Sequence, residues 1–387
     1  MVNAGNGIQP AMGLSAGKGV SAGKGARKEN GVSEVYNCDG CGMPDIFVQM
    51  TTWLDNGDIV QELNHELRVA FVESENIDVI FWDIGKAIGM PIDHLVINLV
   101  GRGLELYLDA LIPPPLKEMV RNRTMDIPTF AETIFGLAHG MGYGKFEFLG
   151  YRYQEDDDDF LKIRITKPFS VLETSGAIVG AITSSTGGEN LVTYEEVSPE
   201  VFEMTARWVT YPDIIKERLE IKPYQGDKGD VELERCPVCR TPLRLAPMCR
   251  WDIENGLIVN AENGYRMALL GPAVMEGLFE ALELELGEDI PDLVVDAQRR
   301  FVREGFVPID FTQGLEGVRT HFALRGLGNL RELRMQESGA AMRLDNSCMQ
   351  LLMVGLLQGS FEKIYQVDSQ VEWELSEKNS LRVEVTP

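Results

Sequence analysis

The sequence predicts an α+β protein: a tandem duplication of a domain with an antiparallel sheet covered by helices, each copy preceded by a C-x-x-C knuckle. Three observations predict it. Cys38, Cys41, Pro44 and Trp53 recur as Cys236, Cys239, Pro242 and Trp251, all displaced by 198 positions. Helical-period stretches are followed by alternating stretches, in the same coarse order in both halves. The chain has 387 residues, 44% of them hydrophobic. At roughly 150 residues per domain, that is enough for two packed units.

Residues 1–35 are rich in Gly, Ala, Ser and Lys, with SAGKG written twice, and read as a flexible tail. No Gly stands five residues before a Gly-Lys-Ser/Thr and no strand precedes the repeats, so a phosphate loop is excluded. The segment has no apolar secretory core, which sets the expectation of a reducing, cytoplasmic location. Six cysteines there mean metal or redox thiols and not a disulfide framework.

The first copy is read as 36–210, a linker as 211–233 and the second copy as 234–387. Each opens on its knuckle, and Asn56-Gly57 or Asn255-Gly256 then closes a hairpin turn. A long apolar-striped helix follows, over Ile92–Leu111 and Tyr265–Leu286. Asp126-Ile127-Pro128 recurs as Asp289-Ile290-Pro291 and starts the next helix, with Asp as N-cap and Pro in the first turn. Matching these two tripeptides shortens the displacement, which places an insertion at about 62–90 in the first copy.

That second helix ends near Gly140 or Gly305. Lys145–Tyr153 and Phe160–Thr166 read as a hairpin, with Val307–Phe311, His321–Arg325 and Leu330–Gln336 as strands of the other copy. A third helix (Gly176–Ser184; Ser347–Ser360) leads to closing strands at Leu191–Val197, Val201–Val209, Ile364–Leu375 and Ser380–Val385.

Charge removes several function classes. With 36 basic against 60 acidic side chains the net charge is −24, and no basic stripe exists for nucleic acid or an anionic membrane surface. No apolar run reaches about 18 residues, so no transmembrane helix is expected.

The knuckles carry the clearest chemistry. Cys38-Asp39-Gly40-Cys41-Gly42 and Cys236-Pro237-Val238-Cys239-Arg240 can each present two thiolates to one metal, and four thiolates complete a structural zinc site. One shared site and two separate sites are both open readings. In the second, Cys249 is the third ligand of its copy, while its counterpart Thr51 cannot serve. An iron–sulfur cluster would use the same ligands.

The other candidates are more ordinary. His65 near the proposed insertion is a candidate extra ligand, His139 a helix cap, and His321 a strand residue facing a pocket or solvent. His94 carries no motif. Asp156–Asp159 reads as a solvated hairpin tip, because it lacks calcium-loop spacing. Cys348 reads as a buried small hydrophobe. Phe146, Phe148, Tyr151, Phe306, Phe311 and Phe322 are candidates to line an apolar pocket, against the alternative of plain core.

The Gly-aromatic entry after the second helix (Gly142-Tyr143, Gly305-Phe306), Asn346-Ser347-Cys348 with Leu351–Gly359, and the closing Val371–Glu374 and Leu381–Val385 together resemble the vinyl-4-reductase-type domain. That family includes a bacteriochlorophyll 4-vinyl reductase accessory protein, archaeal hydrocarbon-binding proteins and aromatic-effector sensor domains. The resemblance implies a hydrophobic ligand pocket and a dimer built into one chain. Family members that bind zinc in the closing segment use several cysteines there; only Cys348 is present here, so that site is not implied.

The combined expectation is a soluble binding protein of sensor or accessory type for a hydrophobic or aromatic small molecule. Structural zinc would sit on the knuckles, and a partner protein would relay any signal. The alternatives are an enzyme or enzyme accessory subunit acting on a hydrophobic or tetrapyrrole-like substrate, or a pure assembly subunit.

Overall fold

The computed structural model describes residues 37–154, 156, 158–209, 222, 224–376 and 379–387. The tail read at 1–35 and most of the linker before Tyr224 lie outside the described residues. The chain folds into mixed helix and antiparallel sheet.

The first half begins with a short helix α1 (Asp45–Met50) after the knuckle, then strands β1 (Thr51–Trp53), β2 (Ile59–Gln61) and β3 (Arg68–Glu73). Four helices follow: α2 (Ile77–Ile88), α3 (Asp93–Leu111), α4 (Pro114–Arg121) and α5 (Ile127–Gly140). Strands β4 (Lys145–Arg152) and β5 (Phe160–Thr166), helix α6 (Val171–Thr186), and strands β6 (Asn190–Ser198) and β7 (Val201–Trp208) close the half.

The second half begins with α7 (Leu245–Met248), β8 (Cys249–Asp252), β9 (Leu257–Asn260) and β10 (Arg266–Leu270). Helices α8 (Pro272–Leu286), α9 (Ile290–Glu304) and α10 (Gly314–Arg325) come next, with a 3-10 turn at Phe311–Gln313 before α10. Strands β11 (Asn329–Gln336) and β12 (Gly339–Asp345), helix α11 (Gln350–Tyr365), and strands β13 (Gln370–Leu375) and β14 (Leu381–Thr386) complete it.

Among the described residues three sheets result. Two have four strands and the same connectivity, β4-β5-β7-β6 and β11-β12-β14-β13. The third draws on both halves, in the order β1-β2-β3-β10-β9-β8. At its centre β3 and β10 are antiparallel, with Phe71 opposite Leu269 and Ala70 opposite Leu270. These central strands are almost wholly buried, so they read as continuous apolar runs and not as alternating ones.

Exchanged contacts bind the halves. The first Asn-Gly turn packs on the second half: a Cβ on Gly57 would lie 2.3 Å from Gly328 O. The second turn packs on the first half, with a Cβ on Gly256 falling 2.1 Å from Gly144 O. Arg68 Nη2 donates to Gly326 O at 3.0 Å, and Arg266 Nη2 donates to Gly142 O at 3.0 Å. Helix α2 packs against α9, while α8 packs against α3.

Within each half a glycine face lets two helices touch along their backbones. Gly176 and Gly180 of α6 sit on Ile97 O and Gly101 O of α3; Gly355 and Gly359 of α11 sit on Val295 O and Arg299 O of α9. Ile97 and Val295, like Gly101 and Arg299, are again 198 apart, the knuckle displacement.

Several sequence expectations need correction. Tyr265–Leu286 is not one helix: Met267–Leu270 belongs to β10, and Gly271-Pro272 ends the strand and starts α8. Val307–Phe311 is not a strand; Pro308 removes a ladder donor, and Asp310 caps the 3-10 turn through Thr312 N at 2.9 Å. His321–Arg325 is the last part of α10, stopped by Gly326 at φ +75°.

The segment 62–90, read as an insertion, contains β3 and α2, and β3 pairs with β10 at the centre of the six-stranded sheet. The helices that start at the two Asp-Ile-Pro tripeptides lead into different elements. Helix α5 after Asp126 runs directly to Gly142 and β4, whereas α9 after Asp289 is followed by α10 before Gly326 and β11. Asp126 caps Thr129 N at 2.7 Å, but Asp289 makes no side-chain cap.

From Tyr224 onward the linker is pinned. Tyr224 OH donates to Asp58 Oδ2 at 2.7 Å, Asp227 N to Asn346 Oδ1 at 2.8 Å, and Val231 N to Asp55 O at 2.7 Å. Among the described residues no helix is long and apolar enough to cross a membrane.

Candidate metal centre

Each knuckle is shaped by its own backbone. Cys38 N donates to Met43 O and Gly42 N to Cys38 O, at 2.8 and 2.7 Å. Cys236 N donates to Thr241 O and Arg240 N to Cys236 O, at 2.9 and 3.0 Å. The residue after the second cysteine takes a left-handed conformation in both, Gly42 at φ +77° and Arg240 at φ +68°. That turn aims both sulfurs of a knuckle to one side.

The two knuckles meet. Cys38 Sγ lies 3.8 Å from Cys236 Sγ, and Cys41 Sγ lies 3.5 Å from Cys239 Sγ. All four sulfurs fall within 4.8 Å of one another. Four sulfurs bound tetrahedrally at about 2.3 Å are separated by about 3.8 Å, so the cluster has the dimensions of a mononuclear tetrathiolate site and could hold a metal ion. Gly40 permits the approach, since a Cβ there would lie 2.8 Å from Cys236 Sγ.

The environment is apolar on the inner side. Met43, Phe47, Trp53, Phe71, Leu245, Ile258, Met267 and Leu269 form one core cluster with Cys38 and Cys236. Cys38 and Cys236 are buried, Cys41 and Cys239 half-buried. Burial pushes the thiols of Cys38, Cys41 and Cys239 up. Burial also acts on Cys236, but the N–H groups of Cys239 and Val238 together with the Cys239 and Cys41 side chains outweigh it and bring that thiol down to about 7.

Cys249 does not join the cluster. It starts β8 with its sulfur 4.0 Å from Met267 Sδ, and burial pushes its thiol up to about 12. Its side chain is fixed by the strand pleat, which turns it into the core. His65 is on the surface, 4.0 Å from Glu62, and is not part of the cluster either.

The aromatic candidates are dispersed. Phe146 stacks on Phe135 at 5.3 Å, with its N–H donated to His139 Nε2 at 2.9 Å. His139 is thus an acceptor, and burial lowers its pKa, so it does not cap its helix as a cation. Phe148 and Tyr151 touch edge to face on a partly exposed strand surface. Phe311 and Phe322 are core, 6.4 Å apart. Phe306 lines a cavity between the halves.

That cavity holds about 30 Å³, room for roughly one water. Glu73, Asn76, Gln298 and Arg325 form a polar wall; Phe306, Leu327, Met349, Leu352, Met353 and Leu356 are apolar lining. Glu73 pairs with Arg325, whose Nε and Nη2 also donate to Phe71 O at 3.1 and 2.9 Å. Glu73 Oε1 is buried and has no hydrogen-bond partner. Burial raises the Glu73 pKa against the lowering by Arg325.

A second cavity of about 150 Å³, lined by Glu262, Asn263, Asp310, Gln313 and His321 among others, shares Pro308 and Ile309 with the first. His321 is held down to about 3 by burial and by Arg325, whose Nη1 is 3.3 Å away. It is therefore a neutral ring at ordinary pH.

Sequence reasoning missed Glu73, Arg325 and the buried Arg68–Asp58 pair, 2.8 Å apart. One signal was present: Arg68-Val69-Ala70 matches Arg266-Met267-Ala268 at the knuckle displacement. Asp159, expected in a solvated tip, is buried instead, accepting from Gln154 N at 2.8 Å and pairing with Arg152. Cys348 is a buried thiol 3.7 Å from Gly326 O, as a small core residue would be.

No family model, curated protein or solved structure matches this chain. Nothing in these comparisons identifies a vinyl-4-reductase-type domain.

Proposed function

We propose that this chain is a zinc-clasped binding protein, made of two copies of one unit, with a ligand chamber shared between them. The observation that carries the proposal is the four-sulfur cluster drawn equally from both halves. Zinc suits it because a closed structural site needs four thiolates and no open position. A cluster with several irons would hold the thiolates farther apart than 3.5 to 3.8 Å.

Duplication is supported by residues that meet their own counterparts. Cys38 touches Cys236, Cys41 touches Cys239, Phe71 pairs with Leu269, and Phe81 lies 6.1 Å from Phe279. Contact between a residue and its equivalent is what a twofold axis imposes. The built-in dimer reading rests on this pattern.

The binding role rests on the cavity between the halves, which holds about 30 Å³ and must widen to admit a ligand. Val72, Glu73 and Asn76 come from the first half and the remaining lining from the second. An apolar molecule carrying one O–H or N–H donor would satisfy Glu73 Oε1 and displace the pliable side chains of Met349 and Met353.

Metal analysis of protein purified without air tests the clasp: one zinc per chain is expected, and two, or iron in its place, overturns it. Native mass spectrometry tests the chamber. A bound small apolar molecule is expected, and Glu73→Gln should weaken it by roughly tenfold, about 1.4 kcal/mol. Retention at equal affinity by Glu73→Gln overturns the chamber assignment.

A further inference from the structure

We infer that the four-cysteine centre is also a thiol redox switch whose oxidised form is disulfide-linked between the halves, through Cys41 and Cys239 first. This rests on the tetrathiolate reading above and adds its regulation.

The geometry favours linkage across the halves. The two sulfur contacts at 3.5 and 3.8 Å both join one half to the other. The shorter joins the two half-buried cysteines, which an oxidant reaches before the buried Cys38 and Cys236. Thr241 Oγ1 stands 2.9 Å from Cys239 Sγ and 3.9 Å from Cys41 Sγ, a hydroxyl beside both reacting sulfurs.

With hydrogen peroxide as oxidant, the Cys41 thiolate attacks one peroxide oxygen. The S–O bond forms, the O–O bond breaks, and the departing hydroxide takes a proton to become water. The Cys239 thiolate then attacks the Cys41 sulfur; the S–S bond forms and a second hydroxide leaves as water. Two thiols lose two electrons and the peroxide gains them. A metal deprived of two donors is released, yet the new bond keeps the halves joined. Oxidation therefore removes the ion without opening the clasp. Disulfides within each knuckle would also release the ion but would leave the halves unlinked.

Trypsin makes the distinction readable. Cleavage after Arg235 and Arg240 isolates the second knuckle as the peptide Cys236–Arg240, while the first lies on the peptide ending at Arg68. Metal-loaded full chain is treated with peroxide beside a zinc-binding dye, alkylated and digested without reductant. The expected result is a species joining those two peptides, reversed by dithiothreitol, appearing together with zinc release. Cys41→Ser should slow both by roughly tenfold or more.

Unlinked peptides each carrying an internal disulfide overturn the inference, as do sulfinic or sulfonic acids without linkage. Chain that arrives without metal sinks the zinc reading alone, because the linkage pattern is still read from its thiols.

Discussion

Phe71 on β3 and Leu269 on β10 are direct antiparallel partners, and they stand 198 positions apart, the same displacement as Cys38 and Cys236. A fixed displacement between touching residues ties the sheet centre to the cysteine cluster. Under the proposed duplication, both lie on one axis, so the clasp and the shared sheet hold the same joint. That arrangement sets the expectations below.

Removing a cluster thiol should weaken the whole body. Cys236→Ser is expected to cost on the order of 4 kcal/mol, the range reserved for losses such as a structural metal. Urea unfolding with and without a zinc chelator checks it. The chelator should destabilise the parent and leave Cys236→Ser nearly unchanged.

The exchanged turns make two glycines unequal. Gly57 has φ +85° and backbone of Gly328 where a Cβ would go; Gly42 has φ +77° and open space. Gly42→Ala should cost about 1 kcal/mol for left-handed backbone alone. Gly57→Ala should cost about 3 kcal/mol, because the Gly328 backbone must also shift. Equal midpoint shifts in denaturant would show that the turn does not pack on the second half.

Arg68 is buried against Asp58, and its Nη1 donates to Ser347 O at 3.1 Å. Arg68→Ala removes the cation that offsets the burial of Asp58 and leaves that carboxyl only its Asn56 and Tyr224 donors, at a cost of about 3 kcal/mol. Arg331 pairs with the exposed Asp230, and Arg331→Ala should cost less than about 1 kcal/mol. Thermal unfolding of the two variants side by side measures the contrast.

Glu173 supplies a pH dependence. Burial and then the neighbouring Asp78 push its carboxyl up to about 8, from an ordinary 4.5. Between those values the folded chain holds a proton that the unfolded chain has released, so stability falls as pH rises through the window. Glu173→Gln removes this loss and should stabilise the protein at pH 8 by on the order of 3 kcal/mol, with little effect near pH 4. Unfolding free energies at both pH values check the sign.

Parts of the fold were legible for local reasons. Lys145–Tyr153 with Phe160–Thr166 alternate because one sheet face is buried, and the structure has β4 and β5 there. The Asn-Gly pairs both close hairpins, since left-handed backbone at Gly57 and Gly256 is cheap without a Cβ. Asp126 and Pro128 start α5 through chemistry confined to one turn. The second half was harder. His321–Arg325 is too short for period to decide between strand and helix, and β10 runs into α8 with one apolar composition.

By itself the sequence determined the knuckles, the 198-residue displacement, the closing hairpins and the four thiolates that suit a metal. All are written in neighbouring residues or in identities that recur. Only the tertiary structure decided that the knuckles share one cluster, that β3 joins β10, and that Glu73 and Arg325 face each other beside a chamber. These depend on which surfaces of the two halves are buried together, and burial is a property of the packed pair that no local pattern carries.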